Sequence, residues 1–223
     1  METQSEAAAL VESWSANADR WQQAIETGSI ASRKLVTDKA IVDAVLASSP
    51  RRFLDVGCGE GWLARAIAPH VERAAGFDVS PELIEHARRA GGGVDYHVAS
   101  YEAFCSAPLS VGSGFDVIAI NFALLDPETD KLFAALKNVA SENAVLLIQT
   151  LHPCQIEGPY EDGWRTEGFT AFGGEAWSPM PWYFRTISSW LELVSRDWQL
   201  AGVAEPIHPE TKRPASLLLR AVR

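Results

Sequence analysis

One short stretch constrains this chain more than any other: Leu54-Asp55-Val56-Gly57-Cys58-Gly59-Glu60-Gly61-Trp62. An apolar run ends in three alternating glycines, and a helical face of Leu63, Ala66 and Ile67 follows. Glycine is required where the backbone turns through positive φ or must come close to a ligand. Such a strand, glycine turn and helix form the opening unit of a parallel sheet with crossover helices. Asp78 stands 21 positions after Gly57, at the end of the next apolar run. There a carboxylate can accept from both hydroxyls of a ribose. The two features together predict an adenosine-type ligand at the carboxyl ends of the strands.

The rest of the chain is organised around that unit. Residues 1–49 read as helices, with Leu10, Val11, Trp14, Trp21 and Ile25 recurring at helical spacing before Gly28, and Val36, Ala40, Ile41, Ala44 and Val45 after it. Strands are expected at Arg52 to Val56, Ala74 to Asp78, Val94 to Val98, Asp116 to Asn121 and Ala144 to Thr150. Ser80-Pro81-Glu82 and Asp126-Pro127-Glu128 each read as a helix start. From Leu151 to Phe184 no period is visible, yet eight of the 21 aromatic residues fall here: Tyr160, Trp164, Phe169, Phe172, Trp177, Trp182, Tyr183 and Phe184. That density excludes a disordered linker and leaves a substrate lid, the favoured reading, beside a satellite core or a dimer contact. A helix over Arg185 to Asp197 and strands at Gln199 to Pro206 and Ser216 to Val222 complete the chain.

Composition narrows the function classes. Nineteen Lys and Arg against 29 Asp and Glu leave a net charge of -10, which disfavours a phosphate backbone, so no nucleic-acid partner is expected. No apolar run reaches membrane-spanning length, and Glu2 and Glu6 stand where a secretory signal would carry basic residues, so the chain reads as cytoplasmic with no membrane partner. Cys58, Cys105 and Cys154 form no metal-binding spacing and read as buried thiols. Asp126, Glu128 and Asp130 read as an acidic helix start, so no metal site is expected.

Two cofactors contain an adenosine. The dinucleotide fingerprint needs a third glycine where this chain has Trp62, which disfavours a nicotinamide-dependent oxidoreductase. Asp55 to Gly61 instead resembles the first motif of the seven-stranded, class I S-adenosylmethionine-dependent methyltransferases. Gly76-Phe77-Asp78-Val79-Ser80-Pro81 resembles their second motif, and Phe115-Asp116-Val117-Ile118 their fourth strand. The resemblance covers about residues 50 to 150 well, and the C-terminal strands by topology.

It implies an α/β fold: a doubly wound, seven-stranded, mostly parallel sheet with a C-terminal antiparallel hairpin. Residues 1–223 would form a single domain, with an N-terminal helical extension (1–49), a cofactor-binding core (50–151), an aromatic-rich lid insertion after the fifth strand (152–184), and a helix plus terminal hairpin (185–223). S-adenosyl-L-methionine is the implied cofactor. Gly57, Gly59 and Gly61 would line its methionine and ribose, Asp78 would hold the ribose, Val79 would pack on adenine, and Asp55 would reach the amino group. The family's acid after the third strand is replaced here by Ser100, followed by Tyr101. Arg33 is a candidate for the cofactor carboxylate, and Asn121 faces the sulfonium region.

For the acceptor, His152 after the fifth strand is the best-placed histidine for acid-base work, with Tyr183 and Arg185 as further catalytic candidates. Tyr160, Trp164 and Trp182 are the candidate substrate contacts. No Asn-Pro-Pro-Tyr motif follows the fourth strand, where the run is Asn121-Phe122-Ala123-Leu124-Leu125, so an exocyclic base amine is not the expected acceptor. The expected activity is methylation of oxygen or nitrogen on a small molecule by a monomer or homodimer. A non-catalytic S-adenosylmethionine-binding module is the remaining alternative.

Overall fold

The protein is described by a computed structural model over residues 2–170 and 177–223. Its parallel strands are β1 (Arg52–Val56), β2 (Arg73–Asp78), β3 (Val94–Val98), β4 (Phe115–Asn121) and β5 (Ala140–Thr150). An antiparallel pair closes the sheet, β8 (Gln199–Ala204) and β9 (Leu217–Val222), giving the order β3-β2-β1-β4-β5-β9-β8. Neighbours from β3 to β5 run parallel, and β9 is antiparallel to both β5 and β8. The strand order reverses between β1 and β4, and an open parallel sheet receives its ligand at that reversal, outside the carboxyl ends. β1 and β4 are nearly continuous apolar runs because helices cover both faces.

The helices are α1 (Glu2–Thr27), α2 (Asp38–Ala47), α3 (Trp62–Ile67), α4 (Pro81–Ala90), α5 (Tyr101–Ser106), α6 (Asp130–Val139) and α7 (Ile187–Ser195). Among the described residues no helix is long and apolar enough to cross a membrane. On one face Leu54, Phe77, Phe104, Ile118, Phe133, Leu146 and Trp190 form a buried cluster; on the other Ile41, Phe53, Leu63, Ile67, Ile84 and Leu147 form a second.

Several expectations shift. Ser80 does cap α4, accepting from the Leu83 N–H at 3.2 Å, but Asp126 caps nothing. It accepts from the Glu128 N–H in a tight turn, and α6 starts at Asp130. The fifth strand begins at Ala140 rather than Ala144, and the last helix begins at Ile187, which leaves Arg185 in the preceding loop. Only Cys58 is buried; Cys105 is partly exposed and Cys154 exposed.

The insertion is the largest correction. It carries regular structure, an antiparallel pair of β6 (Gly163–Glu167) and β7 (Met180–Phe184) forming its own two-stranded sheet. Alternation along β7 sends Met180, Trp182 and Phe184 into a third apolar cluster with Leu10, Leu125 and Phe169, against which Trp14, Trp21 and Trp177 pack. Asn17 fastens α1 to the hairpin by donating to the Ser178 carbonyl and accepting from its N–H, each at 2.9 Å. Phe172 lies outside the described residues.

Candidate functional site

At the carboxyl end of β1 the chain turns through three left-handed glycines, Gly57 (φ 67°), Gly59 (55°) and Gly61 (81°). Gly61 is enforced from below: a Cβ there would lie 2.3 Å from the Tyr96 hydroxyl, which donates to the Gly61 carbonyl. Gly59 is different, because a Cβ built on it meets nothing within 4 Å. The loop is thus packed on its protein side and open above Gly59, a cradle for a ligand that needs bare backbone.

Asp78 ties this loop to the next strand. One carboxylate oxygen accepts from the Gly59 N–H at 2.9 Å, the other from the Ser80 N–H at 2.9 Å. Burial pushes its pKa up, opposed by the N–H groups of Ser80, Gly59 and Val79. Each oxygen keeps a lone pair, so paired hydroxyls can still be accepted. Asp55 is more deeply buried, and its Oδ2 has no hydrogen-bond partner. Desolvation raises its pKa to about 7, against the Ala64 N–H and reinforced by the negative charges of Asp78 and Glu60.

Arg33 lies in a π-helical turn, Arg33–Thr37, where α2 begins. Its Nε donates to Asp38 at 3.0 Å and its guanidinium lies 4.8 Å over the Trp62 ring, which brings it beside the glycine loop. Ser100 is committed as the cap of α5, accepting from Ala103 N–H at 3.1 Å. Tyr101 braces the loop: its hydroxyl donates to the Ala123 carbonyl and sits 3.0 Å from where a Gly57 Cβ would be. Val79 is half-buried beside Asp78. Asn121 accepts from Gln149, whose amide also donates to the Thr37 carbonyl, so β4, β5 and the π-turn are joined at the strand ends.

Over those ends sits the hairpin. Trp164 and Tyr183 are register partners on one face, their rings 5.7 Å apart edge to face. Trp182 faces the opposite way, into the α1 cluster, and Tyr160 is half exposed with its hydroxyl accepting from Ile187 N–H. The three candidate substrate aromatics therefore do not share one wall. His152 is buried with both nitrogens engaged: Nδ1 accepts from the Cys154 N–H at 3.3 Å and Nε2 donates to Glu205 at 2.7 Å. Arg185 is 5% exposed, held by the carbonyls of Asp126 and Pro127 and sandwiched near Tyr183 and Trp190.

Residues 53–143 match the sequence profile of a methyltransferase-domain family. That stretch of the chain is similar to methyltransferase domains. An uncharacterized methyltransferase of Schizosaccharomyces pombe is 35% identical over 86 residues, 39% of this chain and 32% of that protein. A ubiquinone biosynthesis O-methyltransferase of Parvibaculum lavamentivorans is 28% identical over 161 residues, 69% of this chain and 57% of that one. The chain therefore spans a third to somewhat over half of the relatives it matches. Among solved structures, the 1,6-didemethyltoxoflavin-N1-methyltransferase of Burkholderia thailandensis, with bound 1,6-didemethyltoxoflavin and S-adenosylhomocysteine, superposes with a TM-score of 0.67 at 18% identity. That superposition covers 99% of this chain and 90% of the other, and it shows the same fold.

Within residues 53–143, sequence reasoning missed Glu60. It is buried under the glycine loop and paired with Arg65 at 2.5 Å, while Arg65 also donates to the Glu60 carbonyl. An acid between two glycines reads as a solvated loop residue; the signal was Arg65, five positions on, on the first turns of α3. Gln149 was missed too, because its partners Thr37, Asn121 and Ser216 are distant in sequence.

Proposed function

We propose that this protein transfers the methyl group of S-adenosylmethionine to a small-molecule acceptor held between the strand ends and the hairpin. The observation that carries the reading is the bare backbone above Gly59 beside Asp78, with an unpartnered carboxylate oxygen of Asp55 beneath. These residues fit the cofactor: Gly57, Gly59 and Gly61 would lie along its methionine and ribose, Asp78 would accept from the ribose hydroxyls, and Asp55 would receive the ammonium group. Arg33 would meet its carboxylate, and Val79 would pack against its adenine. Ser100 and Tyr101 would support that end of the site through the α5 cap and the bridge to Ala123, and Asn121 would face the sulfonium. When bound, the cofactor supplies an electrophilic methyl on a sulfonium.

The work left to the protein is placement. In-line displacement requires the acceptor atom near attack distance and aligned with the departing sulfur, and holding it there accounts for most of the rate. Trp164, Tyr183 and Arg185 face the acceptor in this reading, with Tyr160 at the rim and Trp182 fixing the hairpin from behind. With both nitrogens engaged, His152 has no free lone pair for a substrate proton. Its role here is positioning, joining the end of β5 to the segment after β8. The acceptor reading is a small cytosolic molecule, methylated on oxygen or nitrogen.

The test is a metabolite screen with labelled methyl donor. Label transferred to a small acceptor, with release of S-adenosylhomocysteine, supports the reading; binding of the cofactor with no transfer to any acceptor would support a non-catalytic module.

A further inference from the structure

Arg185 carries a charge that no carboxylate contacts among the described residues, although Asp162, Asp126 and Asp130 lie near enough to act on it. The residue is 5% exposed, yet among the described residues it has no carboxylate partner within ion-pair distance. Nη2 donates to the Asp126 carbonyl (2.7 Å), the Pro127 carbonyl (3.1 Å) and the Thr129 hydroxyl (3.3 Å). Nη1 is buried with no partner at all. Tyr183 and Trp190 rings stand 5.1 Å away on either side, and burial pulls the guanidinium pKa down. A buried cation with no contacting carboxylate and an empty donor is costly, and a bound anion would relieve both defects.

The place is as telling as the charge. Arg185 lines a small cavity between the hairpin and the ends of β4 and β5, walled by the apolar side chains of Leu124, Leu151, Ile156, Phe184 and Trp190 and reached by Thr150 and Tyr183. It also lines an open groove of about 180 Å³ on the outer side, but the acids there repel an anion. Asp130 is paired with Arg196, and Asp162 accepts from Thr186 N–H and Ser189, while Glu192 remains unpaired. The anion therefore belongs on the cavity side, toward the strand ends. That cavity is about 10 Å³, space for about one water, so a ligand seated on Arg185 requires the hairpin to stand further out than it does here.

We infer that the methyl acceptor is a carboxylate-bearing molecule with an apolar body, its carboxylate received by Arg185 and its body lying between the strand ends and the hairpin. This rests on the methyltransferase reading and specifies its substrate class. One open N–H on a planar cation suits a carboxylate oxygen, and a neutral amide of the same shape leaves the charge unmet.

Calorimetric titration of the intact protein saturated with S-adenosylhomocysteine, using benzoate and phenylacetate against benzamide and phenylacetamide, tests it. At least one acid should bind tenfold or more tighter than its amide. Arg185→Met should abolish that preference, Arg185→Lys should restore part of it, and both should bind S-adenosylhomocysteine within about twofold of wild type. The side-chain ¹⁵N resonance of Arg185 in wild type, shifting with acid and not with amide, keeps the test independent of whether a variant folds. Equal binding of acid and amide, binding of neither, or a preference that survives Arg185→Met overturns the inference. Failure of S-adenosylhomocysteine itself to bind would instead overturn the methyltransferase reading beneath it.

Discussion

The glycine loop and the β6–β7 hairpin both lie toward the carboxyl ends of the parallel strands but are built on opposite principles. The loop, residues 57–61 with Asp78, is held largely through backbone: left-handed glycines and carboxylate acceptors for main-chain N–H groups, with the Gly59 N–H reaching Asp78 19 positions on. The cover is held by side chains, chiefly Trp14, Trp21, Phe169, Trp177, Trp182 and Phe184, drawn from α1 and from an insertion some 150 residues later. A backbone-held site is specified by short motifs and tolerates little change; a side-chain-held cover can be rebuilt around a different acceptor while the loop stays as it is.

Phe184→Ala should break the comparison most visibly. Removing a fully buried phenylalanine costs about 3 to 5 kcal/mol, here borne by the cover. Hydrogen exchange should rise across α1 and residues 160–184, with S-adenosylhomocysteine affinity staying within a few-fold. Loss of cofactor binding in step with the cover would show that the two regions are one unit.

Within the loop, two glycines separate packing from ligand contact. Gly61→Ala meets the Tyr96 hydroxyl and a φ of 81°, so about 2 to 3 kcal/mol of stability should be lost, read as a fall in Tm. Gly59→Ala suffers only the left-handed backbone, about 1 kcal/mol, but places a methyl group in the open cradle. Calorimetry should find its cofactor affinity reduced at least tenfold although its Tm is nearly kept.

Asp55 supplies a pH test of the same half. Its folded pKa near 7 lies above the unfolded value, so the native state alone holds that proton between about pH 4 and 7. Stability should therefore fall as pH rises through that window, and Asp55→Asn should flatten the slope. Pairing with an ammonium favours the ionised form, so cofactor affinity should rise from pH 6 to 8 with release of a proton. A pH-independent affinity would remove Asp55 from the cofactor site. His152→Ala should have the smallest effect, turnover within a few-fold and about 1 kcal/mol of stability. A hundredfold drop in turnover with a shifted pH profile would restore it as the base.

The same contrast governs how much could be read from the chain before its structure. β1 and β3 fall on the expected residues, because Pro50, Gly57 and the Gly91 to Gly93 run punctuate them. β6 and β7 escaped notice: each has five residues, and the apolar run of β7 is interrupted by Pro181, which argues against a strand in the sequence. Arg185 could be singled out as a candidate, but not its missing counter-charge, which depends on two carbonyls and the Thr129 hydroxyl 56 to 59 positions away. His152 invited a catalytic reading from its place after β5, and only Glu205, 53 positions on, shows its second nitrogen to be engaged.

The account rests on Asp78 and the glycine loop forming a site for S-adenosylmethionine, and titration calorimetry with S-adenosylhomocysteine on wild type and Asp78→Ala tests this most directly. Wild type should bind one equivalent and show no heat with NAD, and the variant should bind at least about tenfold more weakly, the scale of one charge-assisted hydrogen bond. Equal affinity of the two proteins, or binding of NAD in place of S-adenosylhomocysteine, would contradict it.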